Sequence, residues 1–163
     1  MAFYRGNRRP LDEAEKSTDA AKARARAMEL LAGQELSSGI LYERLNRRFA
    51  EQTSAAVVAE MVARYAEARA HGLLAAKKSR RAAAQNLRQK GLNAQQIEQA
   101  LETVYTPDET GEDPELEAAA ALVASRYRKK LEAGRRDLVV AALMRRGFAY
   151  PVIKEAILRV EQE

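Results

Sequence analysis

Acid–base and nucleophilic catalysis needs a thiol, a histidine or suitably spaced carboxylates, and this sequence supplies almost none of them. It contains no cysteine, which excludes disulfides, thiolate zinc sites, iron–sulfur clusters and a thiol nucleophile, and fits a reducing cytoplasm. His71 is the single histidine, so a histidine triad or multi-histidine metal site is impossible and the residue reads as a helix-end or surface side chain. Asp108, Glu109, Glu112 and Asp113 lack the alternating ligand spacing and closing glutamate of a calcium loop, and read as a solvated linker. No Gly-rich phosphate loop, P-loop or His-Glu-x-x-His occurs. The expectation is a binding protein with no catalytic residue, no cofactor and no metal.

Binding chemistry is better represented. Formal charge is +5 over 163 residues, unevenly spread: residues 1–90 hold 18 Lys and Arg against 10 Asp and Glu, residues 91–163 hold 10 against 13. The cations gather at Arg47-Arg48, Lys77-Lys78 with Arg80-Arg81, Arg88 with Lys90, Arg135-Arg136, and Arg145-Arg146. One reading is solvated cations at helix C-termini, where they oppose the macrodipole. The other is a basic stripe, formed if corresponding turns of stacked units align along one edge, and suited to an acidic groove or a nucleic-acid backbone. Aromatics are 6% of the chain, too sparse for a base-stacking platform. Tyr127 and Tyr150 read as core or corner residues.

The elements that carry these cations are helices. Hydrophobic residues make up 47% of the chain and tryptophan is absent. Alanine dominates, so helix propensity contributes more than large core side chains do. Residues 1–18 read as a flexible basic leader. Asp19 or Thr18 caps a first helix ending near Gly33, and Ser37-Ser38 caps a second, with Leu41 and Leu45 on one face. A third begins after Thr53-Ser54 and carries Val57, Val58, Met61, Val62 and Tyr65. Ser79 caps the next helix, Gly91 stops it, and Asn93 caps a helix with Ile97, Leu101 and Val104 buried. Residues 106–114 form an acidic, proline-containing linker. Pro114 opens a long helix with Leu116, Leu122, Val123, Tyr127 and Leu131, broken at Gly134. A helix with Leu138, Ala142 and Leu143 follows, then a last one with Val152, Ile153, Ala156, Ile157 and Val160. No segment alternates with period two, and none approaches the roughly 20 apolar residues of a membrane helix.

Two stretches superpose without a gap. Leu87-Arg88-Gln89-Lys90-Gly91-Leu92 leads to Ile97 and Leu101, and Leu143-Met144-Arg145-Arg146-Gly147-Phe148 leads to Ile153 and Ile157. In each, a core leucine precedes a basic turn, a glycine takes the left-handed conformation, and an apolar residue plugs the corner. A third copy, Leu45-Asn46-Arg47-Arg48-Phe49 leading to Val58 and Val62, lacks the glycine and has a longer turn. Units this small must stack to bury their faces. The division read from the sequence is 19–72 for the first three-helix repeat, 73–105 for a shortened second, and 115–163 for the third.

The order of these pieces resembles the RecX family of regulators of the recombinase RecA. The resemblance rests on Ala23-Arg24-Ala25-Arg26-Ala27-Met28-Glu29-Leu30-Leu31, on Ser37 followed by Leu41 and Arg44-Leu45, and on the two glycine corners. It covers residues 20–162. The family's aspartate-bearing stretch entering the middle repeat is missing: Gly72-Leu73-Leu74 runs into Ala75-Ala76-Lys77-Lys78, unless Tyr65-Ala66 marks its end. The resemblance implies tandem degenerate three-helix repeats stacked into an elongated, curved right-handed array that lies in the groove of the RecA–DNA filament. It implies a protein that restrains RecA's ATPase and strand exchange. The partner expected is RecA, as monomer or filament on single-stranded DNA, with possible direct DNA contact, no membrane and a monomeric, cytoplasmic protein. A helical nucleic-acid-binding protein acting without RecA, or an adaptor for another acidic partner, stands beside that reading. Charge and repeat position, and no family motif, nominate Arg47, Arg48, Lys77, Lys78, Arg80, Arg81, Arg88, Lys90, Arg145 and Arg146 as contacts.

Overall fold

Alanine-rich, glycine-punctuated sequence folds here into helix after helix, as seen in a computed structural model that describes residues 9–162. The helices are α1 Ala20–Gly33, α2 Ser38–Asn46, α3 Glu51–Ala75, α4 Arg80–Gln89, α5 Ala94–Tyr105, α6 Pro114–Leu122, α7 Arg128–Glu132, α8 Arg136–Arg145 and α9 Tyr150–Gln162. A π-turn, Val123–Tyr127, joins α6 to α7. No strand occurs among the described residues beyond an isolated bridge between Ser17 and Phe49. None of their helices is long and apolar enough to cross a membrane. The chain divides into two compact bodies between Val62 and Ala63, inside α3.

In the first body, Ala23 and Ala27 of α1 pack with Leu41 and Leu45 of α2, the corner residue Phe49, and Val57 and Met61 of α3. Asp19 and Ser37 cap α1 and α2 by accepting from the backbone N–H groups of Lys22 and Ile40. The third helix starts at Glu51, ahead of Thr53-Ser54, and has no side-chain cap of its own type. Glu13 supplies the missing acceptor: its Oε1 takes the Glu51 N–H at 2.5 Å. Ser17 N–H donates to the Arg48 carbonyl, and the Ala50 N–H donates to the Ser17 carbonyl. The segment 12–17, read from sequence as part of a flexible leader, is therefore tied to the α2–α3 corner. Residues 1–8 of that leader lie outside the described part.

The second body contains the rest of α3 and everything after it. Ala66 and Ala70 of α3 are fully buried with Ala83 and Leu87 of α4. A second cluster joins Leu116, Ala119, Leu122 and Val123 to Val139, Leu143, Phe148, Ile153, Ala156, Ile157 and Val160. The π-turn adds a residue to the long helix expected from Pro114 onward. Tyr127 and Leu131 still pack against this cluster.

A common register underlies the three-helix pattern. Counting from the residue before each middle helix, the fourth and eighth positions are buried in all three copies: Leu41 and Leu45 after Ser37, Ala83 and Leu87 after Ser79, Val139 and Leu143 after Arg135. Each copy also opens on a fully buried pair one turn apart, Ala23/Ala27, Ala66/Ala70 and Ala119/Val123. Helix α3 serves two copies. Its first part closes the first and its second part opens the next.

Several expectations need correction. The first corner, expected to have a longer turn, is instead a residue shorter without its glycine: the Phe49 N–H reaches the Leu45 carbonyl, whereas Leu92 and Phe148 reach back five residues to Leu87 and Leu143. Buried Ser54 consequently occupies the position of Ile97 and Ile153, and Val57 and Met61 are the buried residues rather than Val58 and Val62. Tyr65 and Leu138 are exposed, and Val139 takes the core place assigned to Leu138.

Candidate partner-binding joint

The site is assembled from helix endings. The glycine corners form as read from sequence, with Gly91 at φ +86° and Gly147 at φ +90°. In both, the N–H after the glycine bonds the carbonyl five residues back, and the glycine N–H bonds the carbonyl three back. This is the Schellman ending that a left-handed residue permits. Helix α3 ends the same way: Lys78 N–H donates to the Leu73 carbonyl and Lys77 N–H to that of Leu74. Here the left-handed residue is Lys77, at φ +58°, where glycine is the ordinary occupant.

The two glycine corners differ in their surroundings. A Cβ on Gly91 would meet nothing within 4 Å, but one on Gly147 would sit 2.8 Å from Ser79 Oγ and 3.5 Å from Arg81 Cβ. Ser79 is completely buried. Its hydroxyl accepts the Ala82 N–H at 3.1 Å, capping α4, and donates to the Arg146 carbonyl at 2.8 Å. The start of α4 is thereby clasped to the α8–α9 corner. The clasp is buttressed by the Tyr105 hydroxyl donating to the Lys78 carbonyl at 3.0 Å, and by Glu115 Oε1 accepting the Arg80 N–H at 3.0 Å. Burial, with the nearby Glu115 charge, pushes the Tyr105 hydroxyl up to about 12. Burial also raises the Glu115 carboxyl above its usual range, against the opposing effect of the Arg80 N–H.

This cap-to-corner contact decides which predicted cations meet. Lys77, Lys78, Arg80 and Arg81 lie on one side of it and Arg145 and Arg146 on the other. Arg80 is engaged by Glu98 at 2.5 Å, and half-buried Arg146 donates from Nε to the Tyr127 hydroxyl at 3.2 Å. Lys77, Lys78, Arg81 and Arg145 are exposed, and no carboxylate among the described residues pairs with them. Arg88 and Lys90 belong to the other end of α4, about 15 Å away along a ten-residue helix. The corner of the third copy therefore meets the start of α4, not its corner, and a single stripe of aligned corners does not form here. Arg47 and Arg48 are exposed in the first body. Arg135 and Arg136 are engaged by Asp137 and Glu161.

Sequence reasoning read Ser79 only as a cap and placed Tyr150 in the core or a corner. Tyr150 is 58% exposed and Met144 56% exposed, so both flank the Gly147 corner as open apolar surface. Ser79 aligns in register with Ser37, yet only Ser79 is buried, so the sequence pattern alone carries no signal that separates the two. Among the described residues no group of His, Asp and Glu side chains is arranged to hold a metal ion.

Comparison with known proteins fits this construction. A family model for the second three-helix domain of RecX matches residues 63–101, which run from the body boundary in α3 through α4 into α5. No curated protein sequence matches the chain. The fold is shared with RecX from Lactobacillus salivarius, at 19% identity and a TM-score of 0.56, over 88% of this chain and 97% of that one. It is shared also with a crystal structure of regulatory protein RecX, at 22% identity and a TM-score of 0.54, over 88% of this chain and 72% of that one. The chain is thus similar to the second three-helix domain of RecX over residues 63–101, inside an all-helical chain that shares its fold with RecX crystal structures.

Proposed function

We propose that this protein is a regulator of the RecX type that binds RecA on single-stranded DNA and restrains its ATPase and strand exchange. The observation that carries the reading is the joint itself. It brings four unpaired cations, Lys77, Lys78, Arg81 and Arg145, to the place where the matched domain meets the following copy. Uncompensated positive charge on a rigid joint suits an acidic partner surface and speeds encounter with it. The protein's own chemistry requires no catalytic step. Regulation by a binder of this kind needs only different affinities for different states of the filament.

The test is RecA's single-stranded-DNA-dependent ATPase with this protein titrated in at physiological salt. Inhibition well below one copy per RecA supports the reading. An unchanged ATPase up to large excess, with helicity confirmed by circular dichroism, overturns it. The same four cations also suit phosphates, so a steeply salt-dependent affinity for DNA in the absence of RecA would favour a nucleic-acid-binding protein.

A further inference from the structure

We infer that the clasped joint is a two-part contact surface for an acidic protein face with an apolar recess, with Met144 and Tyr150 as its anchors. The inference rests on the proposed regulatory reading and specifies which surface acts and what it recognises. One part is the basic segment Lys77, Lys78 and Arg81, and the other is Met144, Arg145 and Tyr150. Neither part alone combines several unpaired cations with exposed apolar side chains. The buried Ser79 hydroxyl, shared between the Ala82 N–H and the Arg146 carbonyl, holds them in one geometry.

Composition separates a protein partner from a nucleic-acid backbone. Phosphate recognition draws on cations, hydroxyls, amides and backbone N–H groups, and has no use for an exposed methionine. Protein interfaces are enriched in tyrosine, methionine and arginine, and their strongest single contributions come from tyrosine and arginine. Met144, Arg145 and Tyr150 are those residue types, open to solvent on one corner. Lys77 adds an independent sign. A lysine in the left-handed conformation is less stable than a glycine would be, and departures of this kind concentrate at functional positions. Stability alone does not account for a lysine there.

The experiment measures binding to RecA filaments preassembled on single-stranded DNA, and to the same DNA without RecA, for the full chain and three variants. Tyr150→Ser and Arg145→Glu are each expected to weaken filament binding by about tenfold or more while leaving the melting temperature unchanged. Lys77→Gly is expected to raise or hold the melting temperature and still weaken filament binding, a combination that a purely structural role does not produce. The inference is overturned if the wild type binds filaments and Tyr150→Ser binds them equally well. It is overturned also if the variants lose affinity for bare DNA to the same extent as for the filament, which would make the surface a phosphate site. If the wild type binds no filament at all, the regulatory reading itself fails, and that result is distinct from either of these.

Discussion

At the scale of single residues, two glycines with one backbone conformation face different constraints. Gly91→Ala meets only the left-handed φ and is expected to cost about 1–2 kcal/mol. Gly147→Ala meets the same φ and in addition drives a methyl group against Ser79 Oγ, adding about 1–3 kcal/mol as overpacking. Chemical denaturation of the two variants compares them directly, and equal losses would contradict the clasp. Glu115 offers a test by pH. Its carboxyl is raised chiefly by burial, so the folded state holds the proton more tightly than the unfolded chain does. That contribution is complete below the ordinary carboxylate range and is lost as pH rises through the raised value. Glu115→Gln keeps an oxygen for the Arg80 N–H and removes the titration. Its melting temperature at about pH 7 should match or exceed that of the wild type, with the difference fading as the solution is acidified. The cations themselves were legible in the sequence because charge type needs no structure. Which of them are engaged was not, because Arg80–Glu98 and Arg146–Tyr127 join residues 18 and 19 positions apart.

At the scale of elements, caps and stops explain most of what could be read in advance. Asp19, Ser37, Ser79 and Asn93 cap the helices that follow them as read, and Gly91, Gly134 and Gly147 all take the left-handed conformation that ends them; Asp113, read as a linker residue, also caps α6. The start of α3 was misread because its acceptor, Glu13, comes from 38 residues upstream, beyond the reach of any local capping rule. The register of the first copy was misread for a related reason. A corner without glycine drops one residue, and that shift moves the buried positions from Val58 and Val62 to Val57 and Met61. Equivalent caps should differ in strength accordingly. Ser37→Ala removes one exposed cap and is expected to cost about 1 kcal/mol. Ser79→Ala removes a cap and leaves the Arg146 carbonyl without its donor, which adds about 1–3 kcal/mol. Denaturant midpoints of the two variants give the comparison, and a Ser79→Ala loss no larger than that of Ser37→Ala would mean the clasp contributes nothing.

At the scale of the whole molecule, the all-helical class was legible from residue spacing, and the two glycine corners with their paired branched residues recur in step as read. The joint was not legible, because it depends on which end of α4 the following copy approaches. Corresponding turns invite the assumption that corners align with corners. The buried Ser79 hydroxyl shows that in the second body a cap meets a corner instead, and this changes which cations act together. The measurement that tests the central claim most directly is inhibition of RecA's single-stranded-DNA-dependent ATPase, titrated in parallel with the wild type and with Arg81→Glu/Arg145→Glu. The account predicts substoichiometric inhibition by the wild type and a shift of at least about tenfold to higher concentration for the variant, with unchanged helicity. Inhibition by the variant at the wild-type concentration would contradict it.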